Sequence, residues 1–265
     1  MNSAIVALSD DQITAWVAAG LLPFFRIGSM LMIAPLFSNK TVPMRIRLTY
    51  ALVITAIIVP LLPIPPPIDP LSIDAGLNVL NQILIGIAMG FTLRLIFSVA
   101  ELGGQIIGQL MGLGFATLID PQNGVPVPIS SQFYTLLVTL IYLSLNGHLF
   151  SLQALIDSFQ SLPVSIHGLA PEIWLDIAIW TGIILRGGLL IALPAIGVLM
   201  LINLMLAVAS RAAPTLNIFS VGFPITLGVG LFVMLYTLFG INAQIESLLR
   251  AALEIIYGLP MHKVN

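Results

Sequence analysis

Long apolar runs separated by short polar breaks dominate the chain, at about 13–37, 46–62, 76–98, 131–145, 174–209 and 215–240. A helix rising 1.5 Å per residue needs about 20 residues to cross hydrocarbon. Four of the six runs have that length by themselves. The second and fourth reach it only by borrowing flanking polar residues, and 174–209 is long enough to exceed one crossing or to be broken. Arg186 is followed by Gly187, Gly188 and Pro194, so a kink or break is expected there. After the sixth run, residues 241–257 place Ile241, Ile245, Leu248, Leu249, Ala252 and Ile256 on one face at helical spacing, which predicts an amphipathic C-terminal helix. The expected fold class is therefore all-α: about six long apolar segments, with an amphipathic helix at the end.

One stretch departs from this pattern. Between Glu101 and Asn123 the chain reads E-L-G-G-Q-I-I-G-Q-L-M-G-L-G-F-A-T-L-I-D-P-Q-N. Each glycine inside a helix costs about 1 kcal/mol relative to alanine, which suits a plain spanning helix poorly. On a helix Glu101, Gln105 and Gln109 share one face, while Gly104, Gly108 and Gly112 form a second stripe beside it. Such a small-residue stripe lets helix backbones pack closely, with the amides as interhelical donors. The same glycines equally suit a flexible or re-entrant segment lining a path, with Met111, Leu113 and Phe115 presented to it. Spacing does not decide between the two.

Composition places these helices in a membrane or a large apolar assembly. Of 265 residues 58% are hydrophobic and 8% charged, and the mean hydropathy is +1.09, whereas soluble domains carry roughly a quarter charged residues. A net charge of −2 offers no basic face to nucleic acid, and the absence of cysteine excludes disulfide and thiol chemistry. Asp10 and Asp11 stand where a cleavable signal would carry positive charge, so none is expected. Lys40, Arg45 and Arg47 in the first connection, against Asp69 and Asp74 in the second, fit a cytoplasmic first loop and an exported N-terminus.

Candidate chemistry is sparse. His148, His167 and His262 have no metal-ligand spacing, and no phosphate-binding loop, nucleophile elbow or dinucleotide fingerprint occurs. No catalytic residue, metal site or cofactor is expected. Arg26, Arg94, Arg186, Asn203 and Glu101 lie within or near apolar segments, where a charged group costs at least ~2.5–3.5 kcal/mol. They fit a polar path or inter-subunit contacts, or, for the arginines, snorkelling to the interface.

The run G-Q-I-I-G-Q-L-M-G-L-G-F-A-T-L-I-D-P (104–121) resembles the central motif of the FliR family of export-gate proteins in flagellar and virulence type III secretion systems. Three further stretches agree with that family in the same order: 26–48 (R-I-G-S-M-L-M-I-A-P-L-F-S-N-K-T-V-P-M-R-I-R-L), 143–150 (L-S-L-N-G-H-L-F) and 211–227 (R-A-A-P-T-L-N-I-F-S-V-G-F-P-I-T-L). The wording N-I-F-S-V-G-F-P leans toward the flagellar branch over the injectisome branch.

This resemblance implies a non-enzymatic subunit of the flagellar export gate, in the bacterial inner membrane at the basal body. FliP-type and FliQ-type subunits, FlhB and FlhA are the implied partners, with unfolded flagellar proteins in transit and lipid at the periphery. It implies a single membrane-type domain: N-terminal hairpins over 12–98, a glycine-rich plug segment over 99–128 and C-terminal hairpins over 129–258. The loop at about 105–122 would close the pore at rest, using Gln105, Ile106, Ile107, Gly108, Gln109, Leu110, Met111, Gly112, Leu113, Gly114 and Phe115, anchored by Glu101, Asp120 and Pro121. Arg26, Arg94, Arg186 and Asn203 would then meet other subunits. The competing expectation is a stand-alone polytopic small-solute transporter with Arg26, Arg94, Glu101 and Arg186 lining its site.

Overall fold

The computed structural model describes residues 10–37, 42–62, 72–114, 128–165, 168–213 and 218–259, and among these the only regular structure is helical. The helices are α1 (Asp10–Ile33), α2 (Met44–Ile58, prolonged by a 3₁₀ turn Val59–Leu61), α3 (Ile73–Leu110), α4 (Ile129–Ser144), α5 (Gly147–Ser161), α6 (Pro171–Thr181), α7 (Ile183–Ala212) and α8 (Ile218–Gly258). Among the described residues four stretches are long and apolar enough to cross a membrane, or five if the bent pair α4 and α5 is taken as one broken span.

Three boundaries differ from those expected. Helix α3 does not stop near residue 98 but runs for 38 residues to Leu110, about 57 Å at 1.5 Å per residue. Helix α8 joins the sixth apolar run and the amphipathic tail in one helix of 41 residues. Its predicted inner face is nonetheless buried throughout, from Ile241 to Ile256. The fifth run is interrupted at Gly182, and α7 continues unbroken through Gly187, Gly188 and Pro194. Hydrophobic pattern marks where helices lie but cannot see a helix that continues through polar or small residues once tertiary contacts support it.

The contacts divide the chain into two compact units. The first contains α1, α2, the start of α3 to Arg94, α5 from His148, most of α6 and the last turns of α8. Its core is built on α1 against α3. Gly86 and Gly90, a G-x-x-x-G pair, bring the backbones together: a Cβ at Gly86 would collide with the Arg26 carbonyl oxygen, and one at Gly90 would stand 2.7 Å from that of Met30. Ile27, Met30, Ile85, Met89 and Leu93 close around this crossing with almost no exposure.

The second unit contains the rest of α3, α4, the end of α6, all of α7 and α8 to Ala251. Here too glycines set helix separations. Gly187 and Gly188 of α7 face Val99 and Leu102 of α3, which is why α7 keeps them without breaking. The turn between α4 and α5 rests on Asn146 at φ 56°, a left-handed conformation that asparagine tolerates, followed by Gly147, whose missing side chain leaves room for the Tyr142 ring.

Burial differs sharply between helices. In the most apolar stretch of α3 67% is buried, against 22% in that of α6–α7. Leu185, Leu193, Leu201, Leu204, Met205 and Val208 of α7 are all about 60% exposed or more. A surface of this kind must be covered by lipid or by protein.

Candidate functional site

The site forms where the second unit receives the end of α3. Gly104 packs on the first turn of α4: a Cβ there would lie 2.6 Å from the Ser131 Cα and 2.8 Å from the Ser130 carbonyl oxygen. Closeness of this order lets two hydroxyls cross the gap. Ser130 donates to the Gly104 carbonyl at 2.7 Å, and Ser131 donates to that of Glu101. Gly103 meets Ile191 of α7, and Gly108 meets the Ser130 hydroxyl and Pro128. Gly103, Gly104 and Gly108 therefore act in helical, close-packed positions and not as points of backbone freedom. The amides do not take part as interhelical donors here: Gln105 and Gln109 are exposed, as is Glu101.

Helix α3 then ends in a Schellman motif. Gly112 takes φ 82°, its N–H donates to Gln109 at 3.0 Å, and the Leu113 N–H reaches back to Gly108 at 2.9 Å. Two carbonyls remain, and side chains from other helices take them. Asn203 Nδ2 of α7 donates to the Leu110 carbonyl at 3.3 Å, and Thr226 Oγ1 of α8 donates toward that of Met111 at 3.3 Å. Each backbone acceptor at this terminus thus has a partner. Met111 itself is buried beneath Gly230, so it is not presented to a path; Leu113 and Gly114 are half-buried. Beside this end lies an open groove of about 430 Å³ lined by Gln109, Gly112, Asn203, Ser210, Phe223 and Thr226 among others.

Of the expected loop 105–122, Gln105 to Leu110 are helix, with Ile107 and Gly108 buried and Ile106 and Leu110 half-buried. The irregular backbone begins at Met111. Phe115, Asp120 and Pro121 lie outside the described residues.

The polar residues of the apolar segments have different fates. Arg26 belongs to the first unit and is wholly buried. Its Nε donates to Gln82 at 2.7 Å, Nη1 to the Ser158 carbonyl at 2.8 Å and its hydroxyl at 3.1 Å, and Nη2 to the Leu162 carbonyl at 2.8 Å, while Phe159 lies under the guanidinium at 4.3 Å. Ser158 and Leu162 mark the end of α5, so the cation sits on the negative pole of that helix. The expected inter-subunit role of Arg26 is thereby corrected: its partners are in its own chain. Arg94 and Arg186 are exposed.

Sequence reading missed Gln82, Ser130, Ser131, Ser158 and Thr226. Thr226 had a signal, since it is the penultimate residue of the 211–227 motif. The serines had none, because a serine at a helix start or end has many ordinary uses. Among the described residues no cluster of His, Asp or Glu could hold a metal.

The sequence profile of "Bacterial export proteins, family 1" matches residues 17–252. The chain belongs to that family. Among its relatives, the flagellar biosynthetic protein FliR of Escherichia coli (strain K12) is 36% identical over 230 residues, 87% of this chain and 88% of that protein. FliR of Pectobacterium carotovorum subsp. carotovorum is 38% identical over 220 residues, 83% of this chain and 84% of that protein. FliR of Aquifex aeolicus (strain VF5) is 34% identical over 233 residues, covering 86% and 89%. This member of the family is accordingly a membrane protein and a component of the flagellar export apparatus, and its relatives are named flagellar biosynthetic proteins.

Proposed function

We propose that this chain is a non-enzymatic core subunit of the flagellar protein export gate in the bacterial inner membrane. It forms part of the channel for unfolded flagellar proteins, and the segment that follows α3 closes that channel at rest. The observation that carries this reading is the end of α3. The helix is pinned by glycine contacts up to Gly108, and just beyond, at Gly112, the backbone turns out of it at positive φ, with the Leu110 and Met111 carbonyls capped by Asn203 and Thr226. A fixed stem that ends in a turn suits a closing element carried beyond it.

FliP-type and FliQ-type subunits are the partners this reading requires, with FlhB and FlhA beside them. The broad apolar exposure of α2, α7 and α8 supports a chain that is completed by neighbours. Co-purification from cells producing all the gate proteins tests it. A stable complex containing FliP-like and FliQ-like chains is expected, while the purified chain alone in potassium-loaded vesicles releases no potassium. A chain that is stable alone and transports small solutes would overturn it. Nothing favours that transporter reading here: Arg26 is sealed by its own hydrogen bonds, and Arg94, Glu101 and Arg186 are exposed.

A further inference from the structure

We propose that the first unit binds a buried water between Asn78 and Gln82 of α3, and that this water completes a hydrogen-bonded chain from the Arg26 cation to the first turn of that helix. All the residues concerned belong to that unit. Asn78 and Gln82 are 2% and 0% exposed, and among the described residues Asn78 Oδ1 and Gln82 Nε2 have no hydrogen-bonding partner. A buried polar atom without a partner is costly, and native interiors meet that need with ordered water. The two side chains are four residues apart on one helix, so they share a face with Cβ atoms about 5–6 Å apart. One water spans such a gap.

The neighbours fix which way each amide points. Gln82 Oε1 accepts from Arg26 Nε at 2.7 Å, so its NH2 group faces elsewhere. Asn78 Nδ2 donates to the Asp74 carbonyl at 2.9 Å, so its oxygen is left for another donor. Turning either amide over would set donor against donor or acceptor against acceptor. The site therefore offers one donor and one acceptor. An anion there would face the Asn78 oxygen, and a cation would face the Gln82 NH2 group with Arg26 behind it. Water suits both, accepting from Gln82 and donating to Asn78. Every bond then runs in one direction: Arg26 donates to Gln82, Gln82 to the water, the water to Asn78 and Asn78 to Asp74. Each dipole turns its negative end toward the guanidinium. Gln82, Ser158 and Leu162 offer Arg26 only neutral oxygens, so a chain of aligned dipoles supplies part of what a carboxylate would otherwise give a buried cation.

The test is a cryo-electron-microscopy map of the unaltered protein, in the assembly in which it purifies, at a resolution that shows ordered water. A single peak within hydrogen-bonding distance of both Gln82 Nε2 and Asn78 Oδ1 is expected. Side chains that are clearly placed with no peak between them overturn the proposal, as do the two amides in direct contact or another side chain of the protein at that point. A second map, of the protein prepared in caesium bromide, is expected to show the peak unchanged in height; a stronger peak would mean a bound ion and overturn the assignment to water. A third, of Asn78→Leu, is expected to lose the peak while the Arg26 bonds to Gln82 and Ser158 remain. A peak that persists in that variant would show that Asn78 does not anchor it. Should Asn78→Leu fail to fold, the first two maps still decide.

Discussion

Replacing Gly104 by alanine separates closeness from flexibility as the reason for the glycines in α3, because the two predict opposite signs. In an unconstrained helix the change would stabilise by about 1 kcal/mol through helix propensity. The structure places the added Cβ 2.6 Å from the Ser131 Cα and 2.8 Å from the Ser130 carbonyl oxygen. Both are backbone atoms, so no side chain can rotate away and α4 must retreat by roughly 1 Å to restore an ordinary contact. Overpacking of this kind costs about 1–3 kcal/mol. The retreat also stretches the Ser130 and Ser131 hydroxyl bonds to Gly104 and Glu101, each worth about 0.5–1.5 kcal/mol net. Loss outweighs gain, and a net destabilisation of about 1–4 kcal/mol is expected. Gly108→Ala is the internal comparison: its nearest neighbour would be the Ser130 hydroxyl, which can rotate away at the cost of its one bond to the Gly104 carbonyl, so its cost is smaller. Thermal unfolding of the purified gate complex carrying each variant measures the order. A Gly104→Ala complex as stable as the unaltered one, or more stable, refutes the close-packing account.

Further outcomes follow from other contacts. Gly90→Val drives a branched side chain into the Met30 carbonyl oxygen, 2.7 Å from the Cβ position, and is expected to cost at least about 2 kcal/mol, read as lost complex yield. Arg26→Met strands the acceptors of Gln82, Ser158 and Leu162 at about 1–3 kcal/mol each; Arg26→Lys, with one compact donor group, rescues only part of this, and protease resistance of the assembled complex ranks the three proteins. Glu246→Gln removes an exposed ion pair with Arg250, whose side chains are 41% and 75% accessible, and leaves melting unchanged within about 0.5 kcal/mol.

Helix class and the buried face of the last helix were legible because both follow from periodicity, which a chain carries locally. Ile241 to Ile256 repeat at helical spacing and lie inside. The ends of α3 were not legible in the same way. Periodicity reported the glycine stripe but not its partner, and Ser130 and Ser131, which decide that Gly104 is a contact and not a hinge, stand 26 and 27 residues further along. Arg26 illustrates the other direction. Its cost at an apolar depth was plain from sequence, yet its acceptors are backbone carbonyls at the end of α5, groups every residue possesses and no motif announces. The resemblance to the FliR family placed the chain among export proteins, which spacing alone could not do.

The central claim, that the segment beyond α3 closes the export channel, is tested most directly by ion leakage in cells whose gate carries residues 113–123 replaced by a Gly-Ser linker of equal length. The account predicts a membrane that leaks ions while the complex remains assembled. An assembled complex with the leakage of the unaltered gate would contradict it.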